Sequence, residues 1–295
     1  MRTAMIKRML VILTAVSAMG CQSEDLRVQI GPEHAREVNL ELTGGIAAEG
    51  SGVLYLTTPT TVMRYEPGPN RMESLMLDAC QDIRDVAVTP EGVVLILRGR
   101  ALSSPVAGYL VTIRPLPGDG IAVSCDREFA YVLAARGQGA QLLRIHLAGN
   151  AKGHVQTLLT TEDRPRALCA VRGGCLIASG GNLVKVADPA PAADNAESQV
   201  ATVLLAVIQD PITSVVADQD KLIVYFATAN TTYAWIQGQI VPIFPAGSRL
   251  AWAKDTLTIC LPSRTGSQVI QIPAVSKHTE GILKQLEKGD LEKRP

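Results

Sequence analysis

Carboxylates recur along this chain at a spacing that could bring them together. Glu49, Glu91, Asp126 with Glu128, Asp218 with Asp220, and Asp255 each stand between two short apolar runs. If those runs pair as hairpins, every one of these acids sits in a turn. Turns gathered around one axis would form a ring of oxygen ligands, the chemistry that suits a hard cation such as calcium. The same residue types also favour turns for a local reason, because their side chains hydrogen-bond nearby backbone amides. Gly173-Gly174 occupies the matching place in the fourth pair of runs and interrupts the ring. Three carboxylates in one place repel each other when no cation is present. Their spread over separate turns is the arrangement of an empty face, so no metal and no cofactor is expected.

Other reactive side chains do not converge in the sequence. The four histidines are His34, His146, His154 and His278, and none has the spacing of a zinc site. No phosphate-binding loop, dinucleotide fingerprint or G-x-S-x-G elbow occurs, so a catalytic residue has no signature. Cys169 and Cys175 flank the glycine turn and invite a disulfide. Aligning LCAVRGGC with VAVTPEGV sets Ala170 opposite Cys175 and turns Cys169 to the other face. The bridge therefore requires a five-residue loop, and it stays open as a possible pairing. Trp252 is the one large aromatic on an apolar run whose counterparts are Ala47, Ala87, Ala122, Cys169 and Ala251. It either lines a central channel as a binding platform or fills a gap in the core. With Glu91, Asp126, Asp218 and Asp255 it makes the candidate face for a partner or ligand.

The elements that must position these residues repeat. Val86 to Leu97 reads VAVTPEGVVLIL, with Thr89-Pro90-Glu91-Gly92 as the turn. Pro90 presets its own φ, and Gly92 can take the positive φ that closes the turn. Related pairs of runs begin at Ile46, Ile121, Leu168, Val215 and Leu250. Their second strands start near 53, 93, 129, 175, 222 and 257, which are 40, 36, 46, 47 and 35 residues apart. Two further strands fit inside each unit. Tyr109–Ile113 is read as a third strand, which leaves the second unit either three-stranded or with an irregular edge along Gly99–Gly108. The Pro/Ala-rich stretch Asp188–Ser198 reads as a surface insertion. Hydrophobic residues make up 47% of the chain but aromatics only 4%, so aliphatic and β-branched side chains must fill the core.

Four short strands per 35–47 residues is the period of a β-propeller blade. The sixth unit lacks an outer strand, while Glu37–Leu42, EVNLEL, alternates strictly and has no neighbour to pair with. Placing it on the last unit closes the ring and removes two open edges together. The expectation is an all-β, six-bladed propeller over 37–275, closed by an N-terminal strand that completes the last blade. In period and strand pattern this span resembles the six-bladed periplasmic propellers of the TolB-like and NHL kind. Related six-bladed lactonases hold a calcium with Glu, Asn and Asp near the channel mouth. Here the asparagines are 39, 70, 150, 182, 195 and 230, and none begins an inner strand. Residues 276–295 are polar and charged, with Ile282, Leu283 and Leu286 on one helical face. Both a disordered tail and a short helix are open there.

The first twenty residues read as an address. Arg2, Lys7 and Arg8 precede an apolar run, Met9 to Met19, that is too short to span a bilayer. It ends in Ala18-Met19-Gly20-Cys21, which resembles the lipobox of bacterial lipoproteins. The resemblance implies a signal peptide over 1–20 and a lipid on Cys21. Gln22 stands where an Asp would imply inner-membrane retention in enteric bacteria, so outer-membrane sorting is implied, with the protein facing the periplasm. Residues 21–36 then form a tether of roughly 20 Å.

Lysine and arginine number 28, and aspartate and glutamate also 28. Nucleic acid as a partner would call for a basic excess. The leading functional reading is a lipid-anchored scaffold or assembly factor that binds an envelope protein, with the membrane engaged only through the anchor. The alternatives are a calcium-dependent hydrolase of the lactonase kind and a small-ligand or glycan binder at the channel mouth.

Overall fold

The computed structural model describes residues 34–42, 44–75, 81–189, 200–245, 247–264 and 266–292. The leader, Cys21, almost all of the tether, Cys80 and nearly all of the Asp188–Ser198 insertion lie outside the described residues.

Six four-stranded antiparallel sheets are arranged in a ring. The first described strand, β1 (Ala35–Val38), belongs to the last blade. Blade 1 is β2 (Ile46–Ala48), β3 (Leu54–Thr57), β4 (Val62–Glu66) and β5 (Arg71–Ser74). Blade 2 is β6 (Ile83–Val88), β7 (Val94–Arg98), β8 (Ala101–Val106) and β9 (Tyr109–Pro115). Blade 3 is β10 (Gly120–Cys125), β11 (Phe129–Arg136), β12 (Gly139–His146) and β13 (Val155–Thr161). Blade 4 is β14 (Ala167–Val171), β15 (Gly174–Ser179), β16 (Asn182–Ala187) and β17 (Thr202–Val207). Blade 5 is β18 (Ser214–Asp218), β19 (Ile223–Ala227), β20 (Thr232–Ile236) and β21 (Gln239–Phe244). Blade 6 is β22 (Arg249–Ala253), β23 (Thr256–Ser263) and β24 (Gly266–Pro273), completed by β1. The expected six-bladed propeller, closed by a strand from the N-terminal side, is the observed fold.

Alternation along the strands explains why the blades stack. Successive side chains point to opposite faces of a sheet, so each blade offers an apolar layer to both neighbours. Tyr131, Leu133 and Leu142 pack toward blade 4, while Val132, Ala134 and Leu143 of the same strands pack toward blade 2. Six such clusters fill the six gaps between blades. The turn read at Thr89–Gly92 is present: the Gly92 amide donates to the Thr89 carbonyl at 2.9 Å, and Gly92 has φ +83°.

Two expectations need correcting. Blade 2 has four strands, and Tyr109–Ile113 belongs to its outermost strand, not its third. The third strand is β8, ALSSPV, whose serines and proline disguise it. Pro105 has no amide to donate, and it lies beyond Ser103, where pairing with β7 stops. The closing strand runs Ala35–Val38, earlier and shorter than Glu37–Leu42. Val38 pairs with Ser267, after which a turn closed by the Leu40 amide on the Val38 carbonyl bends the chain inward. Leu40 and Leu42 then pack against the core between blades 6 and 1, so their alternation reflects burial after the strand.

The C-terminal segment, where a tail and a short helix were both open, forms α1 (Val275–Glu292). Ala274, at φ +50°, turns the chain out of β24 into the helix. The Asp255 carboxylate accepts the Ser276 amide at 3.1 Å, capping the first turn from a neighbouring hairpin. Val275, Ile282 and Leu283 are buried on the cluster between blades 5 and 6. Burying Ile282 and Leu283 alone contributes about 3–6 kcal/mol before entropy is subtracted, which is why this segment docks as a helix.

Candidate functional site

The innermost strands, β2, β6, β10, β14, β18 and β22, surround an axial cavity of about 880 Å³. They run in the same direction, so their first residues meet at one mouth and the hairpin turns that follow them meet at the other. The turn carboxylates expected to form a face all lie at the second end, and Glu49, Glu91, Asp126, Asp218 and Asp255 are each engaged locally. Asp126 accepts the amides of Glu128 and Phe129 at 2.8 and 2.7 Å. Asp218 accepts those of Asp220 and Lys221 at 3.0 and 3.2 Å. Glu91 takes a hydrogen bond from Arg127 Nε at 2.7 Å, which holds its carboxyl below the usual range. Glu49 accepts the Tyr55 hydroxyl at 3.2 Å. Burial acts to raise the Asp255 carboxyl, but hydrogen bonds from Ser276, with Lys221 beside it, outweigh that and hold it low. Among the described residues no three His, Cys, Asp or Glu side chains stand close enough to share a metal ion.

The remaining sequence candidates separate. Trp252 lines the cavity, and its ring also stacks on Tyr225 with centroids 5.4 Å apart. His146 and His154 lie together at 5.9 Å, with Phe129 4.7 Å from His146, while His278 is exposed on α1. The disulfide does not form. Cys175 is the Cα partner of Ala170 and Cys169 that of Leu176, so the two thiols point to opposite faces and enter different clusters. Both are free, as are Cys125 and Cys260. Burial pushes the thiols of Cys125, Cys169 and Cys260 up to about 12, which leaves them poor nucleophiles.

The first mouth carries the chemistry that sequence reasoning missed. Arg84 lies in β6, Arg166 immediately precedes β14, and Arg249 opens β22. All three line the cavity. They belong to blades 2, 4 and 6, so in a sixfold ring they stand about 120° apart. Arg84 shares its Nε with Asp82 on the rim. Arg166 and Arg249 form no ion pair with a described residue. Among the described residues Asp85 is the single acid in the lining. Its carboxylate accepts the Val123 amide of blade 3 at 2.8 Å and its neighbour Val86 at 2.9 Å. It also presses on Gly45 of blade 1, where an added Cβ would lie 1.5 Å from Oδ1, so only glycine fits. Burial raises the Asp85 carboxyl from 3.8 to about 6, against the pull of the two amides and of Arg249. A basic residue at the start of every second inner strand was the available signal. It lay just ahead of the apolar runs that defined the repeat.

This donor set does not fit calcium, which takes six to eight oxygen ligands. One carboxylate committed to two amides, in a lining that also carries three guanidinium groups, disfavours a cation and favours an anion.

No protein-family model matches the sequence, and no curated relative matches it. The fold is similar to solved structures. A gluconolactonase from Xanthomonas campestris aligns over 79% of this chain and 87% of its own, with TM-score 0.62 and 13% identity. The calcium-binding protein regucalcin from Agrobacterium tumefaciens aligns over 80% and 91%, with TM-score 0.60 and 13% identity. Virginiamycin B lyase from Staphylococcus aureus aligns over 81% and 88%, with TM-score 0.54 and 12% identity. At these identities the likeness is one of fold: this chain is a six-bladed propeller resembling the gluconolactonase, regucalcin and virginiamycin B lyase propellers.

Proposed function

We propose that this protein is an envelope-tethered binding propeller whose axial cavity, entered at the mouth bearing Arg84, Arg166 and Arg249, takes a small ligand. The observation that carries the reading is the cavity itself: about 880 Å³, walled by small inner-strand residues, with its charged groups collected at one end. Ligand sites have this size and this division between apolar wall and a few convergent polar groups. In this reading the lipid on Cys21 holds the protein at the outer membrane, facing the periplasm. The outer loops then serve the scaffold role, presenting the propeller to an envelope protein.

The likeness to gluconolactonase and regucalcin favours a second reading, calcium-dependent lactone hydrolysis on the same fold. One pair of measurements separates the two. The binding reading expects saturable ligand uptake by the purified protein and no lactone turnover with calcium added. Turnover that calcium restores after chelation would give first place to the hydrolase. Detergent pull-down from envelopes, with the wild type and an Arg166→Glu/Arg249→Glu variant, tests the partner role and whether the same mouth serves it.

A further inference from the structure

We propose that the ligand of this mouth is a small polyanion, a compound carrying two or more carboxylate or phosphate groups, held by Arg84, Arg166 and Arg249 together. The inference rests on the binding reading above and names the class of ligand.

The argument is one of charge and placement. Guanidinium groups bind carboxylate and phosphate through two parallel hydrogen bonds, which gives orientation as well as attraction. A single arginine on a rim would be ordinary surface. Three on alternate blades, facing one cavity, leave a positive site that, among the described residues, only Asp82 at the rim and Asp85 within offset. A monoanion can satisfy one guanidinium fork, whereas charges spread around the ring call for a ligand with more than one anionic group. The low-dielectric walls of a narrow channel strengthen the attraction, since they focus the field at the mouth.

Asp85 gives the site a pH dependence. The groups that face it are the Gly45 backbone of blade 1, the amides of Val86 and Val123, and the guanidinium of Arg249. Ionised, it offsets one arginine; protonated, it leaves all three for the ligand. Anion uptake therefore favours proton uptake, and by linkage a lower pH favours anion binding.

Calorimetry on the purified full-length protein at low salt tests this with three probes: citrate, inorganic phosphate and uncharged glucose. The expected result is saturable binding of citrate or phosphate, weakened by added salt, with no heat from glucose. Citrate alone points to a polycarboxylate and phosphate alone to a phosphate ester. Arg166→Gln and Arg249→Gln should each weaken binding about tenfold. Arg127→Gln, at the opposite end of the channel, should leave it unchanged. Affinity for citrate should rise between about pH 7 and about pH 5 more steeply in the wild type than in Asp85→Asn. Glucose binding without anion binding would overturn the polyanion inference and leave a ligand-binding channel standing. Binding of none of the three would overturn both. Anion binding indifferent to Arg166→Gln and Arg249→Gln would place the anion elsewhere and overturn the inference alone.

Discussion

Asp85 ties stability to pH in a way that can be worked from the structure. Its carboxyl rises from 3.8 to about 6 on folding, because the channel wall shields it from water. Between those values the folded protein holds a proton that the unfolded chain has released. Stability must therefore fall as pH rises through this window, opposite to a salt-bridged aspartate. The interval from 3.8 to about 6 corresponds to at most about 3 kcal/mol, at about 1.4 kcal/mol for each tenfold change in proton affinity. Water in the channel reduces that ceiling. For a chain of this length that ceiling corresponds to at most roughly 5 °C in melting temperature.

Asp85→Asn supplies the control. The amide oxygen can accept from Val86 or Val123 but not from both, and its NH₂ then faces the other backbone amide. Losing one of these bonds costs about 1–3 kcal/mol. At about pH 4 the variant should melt below the wild type. By about pH 7 the wild type has lost the stability that came from holding Asp85 protonated, and the two curves should meet or cross. Melting monitored by circular dichroism across this range, on both proteins in the same buffers, reads the result directly. Curves that stay parallel would falsify the account, because the slope would then belong to some other group.

Four further outcomes are expected. Cys21→Ala should move the protein from the membrane fraction to the soluble fraction on sedimentation. Val38→Asp places a charge at a position 2% exposed on the closing strand, and should lower stability by more than about 3 kcal/mol with aggregation at the freed edge of β24. Leu283→Ala, under the docked helix, should cost about 2–4 kcal/mol in denaturant melts, whereas Lys284→Ala beside it should cost almost nothing. Chelation with EDTA should leave the melting temperature unchanged, while a loss of several degrees restored by calcium would contradict the donor set at the mouth.

What could be read in the sequence follows the strength of each physical signal. The inner hairpins announce themselves because their strands are buried on both faces and their turns need residues such as Gly92. The edges were harder. β8, the third strand of its blade, carries Ser103 and Ser104, both buried, and then Pro105, so it lacks the apolar run that marks an inner strand. β1 gives only four residues before Asn39 turns the chain. The helix was left open because Gly281 interrupts an already short apolar stripe; its cap comes from Asp255, twenty-one residues earlier, and no local pattern contains that. The turn carboxylates misled for the opposite reason. Their spacing was regular because every blade needs a turn, and the structure spends Asp126 and Asp218 on backbone amides, Glu91 on an arginine, Glu49 on a tyrosine and Asp255 on the helix.

The arginines were overlooked because the search was for groups that recur in every blade. A propeller repeats what holds it together, and its inner positions must stay small for steric reasons. A site is where the repeat is broken. Arg84, Arg166 and Arg249 break it in three blades of six, and Asp85 breaks it once. Water in the channel is what allows such charges at all, since the same side chains between blades would have to be desolvated and paired. Asp85 is the exception that enters the wall. It holds an amide of blade 3, crowds the glycine of blade 1, and lies within the field of Arg249 from blade 6. Removing its charge therefore acts on two things together, the fit between blades and the net charge presented to a ligand. A ligand that neutralises the arginines takes away the attraction that favours ionised Asp85, and so shifts that carboxyl toward its protonated form. Binding at the mouth and packing between blades are coupled through this one carboxyl.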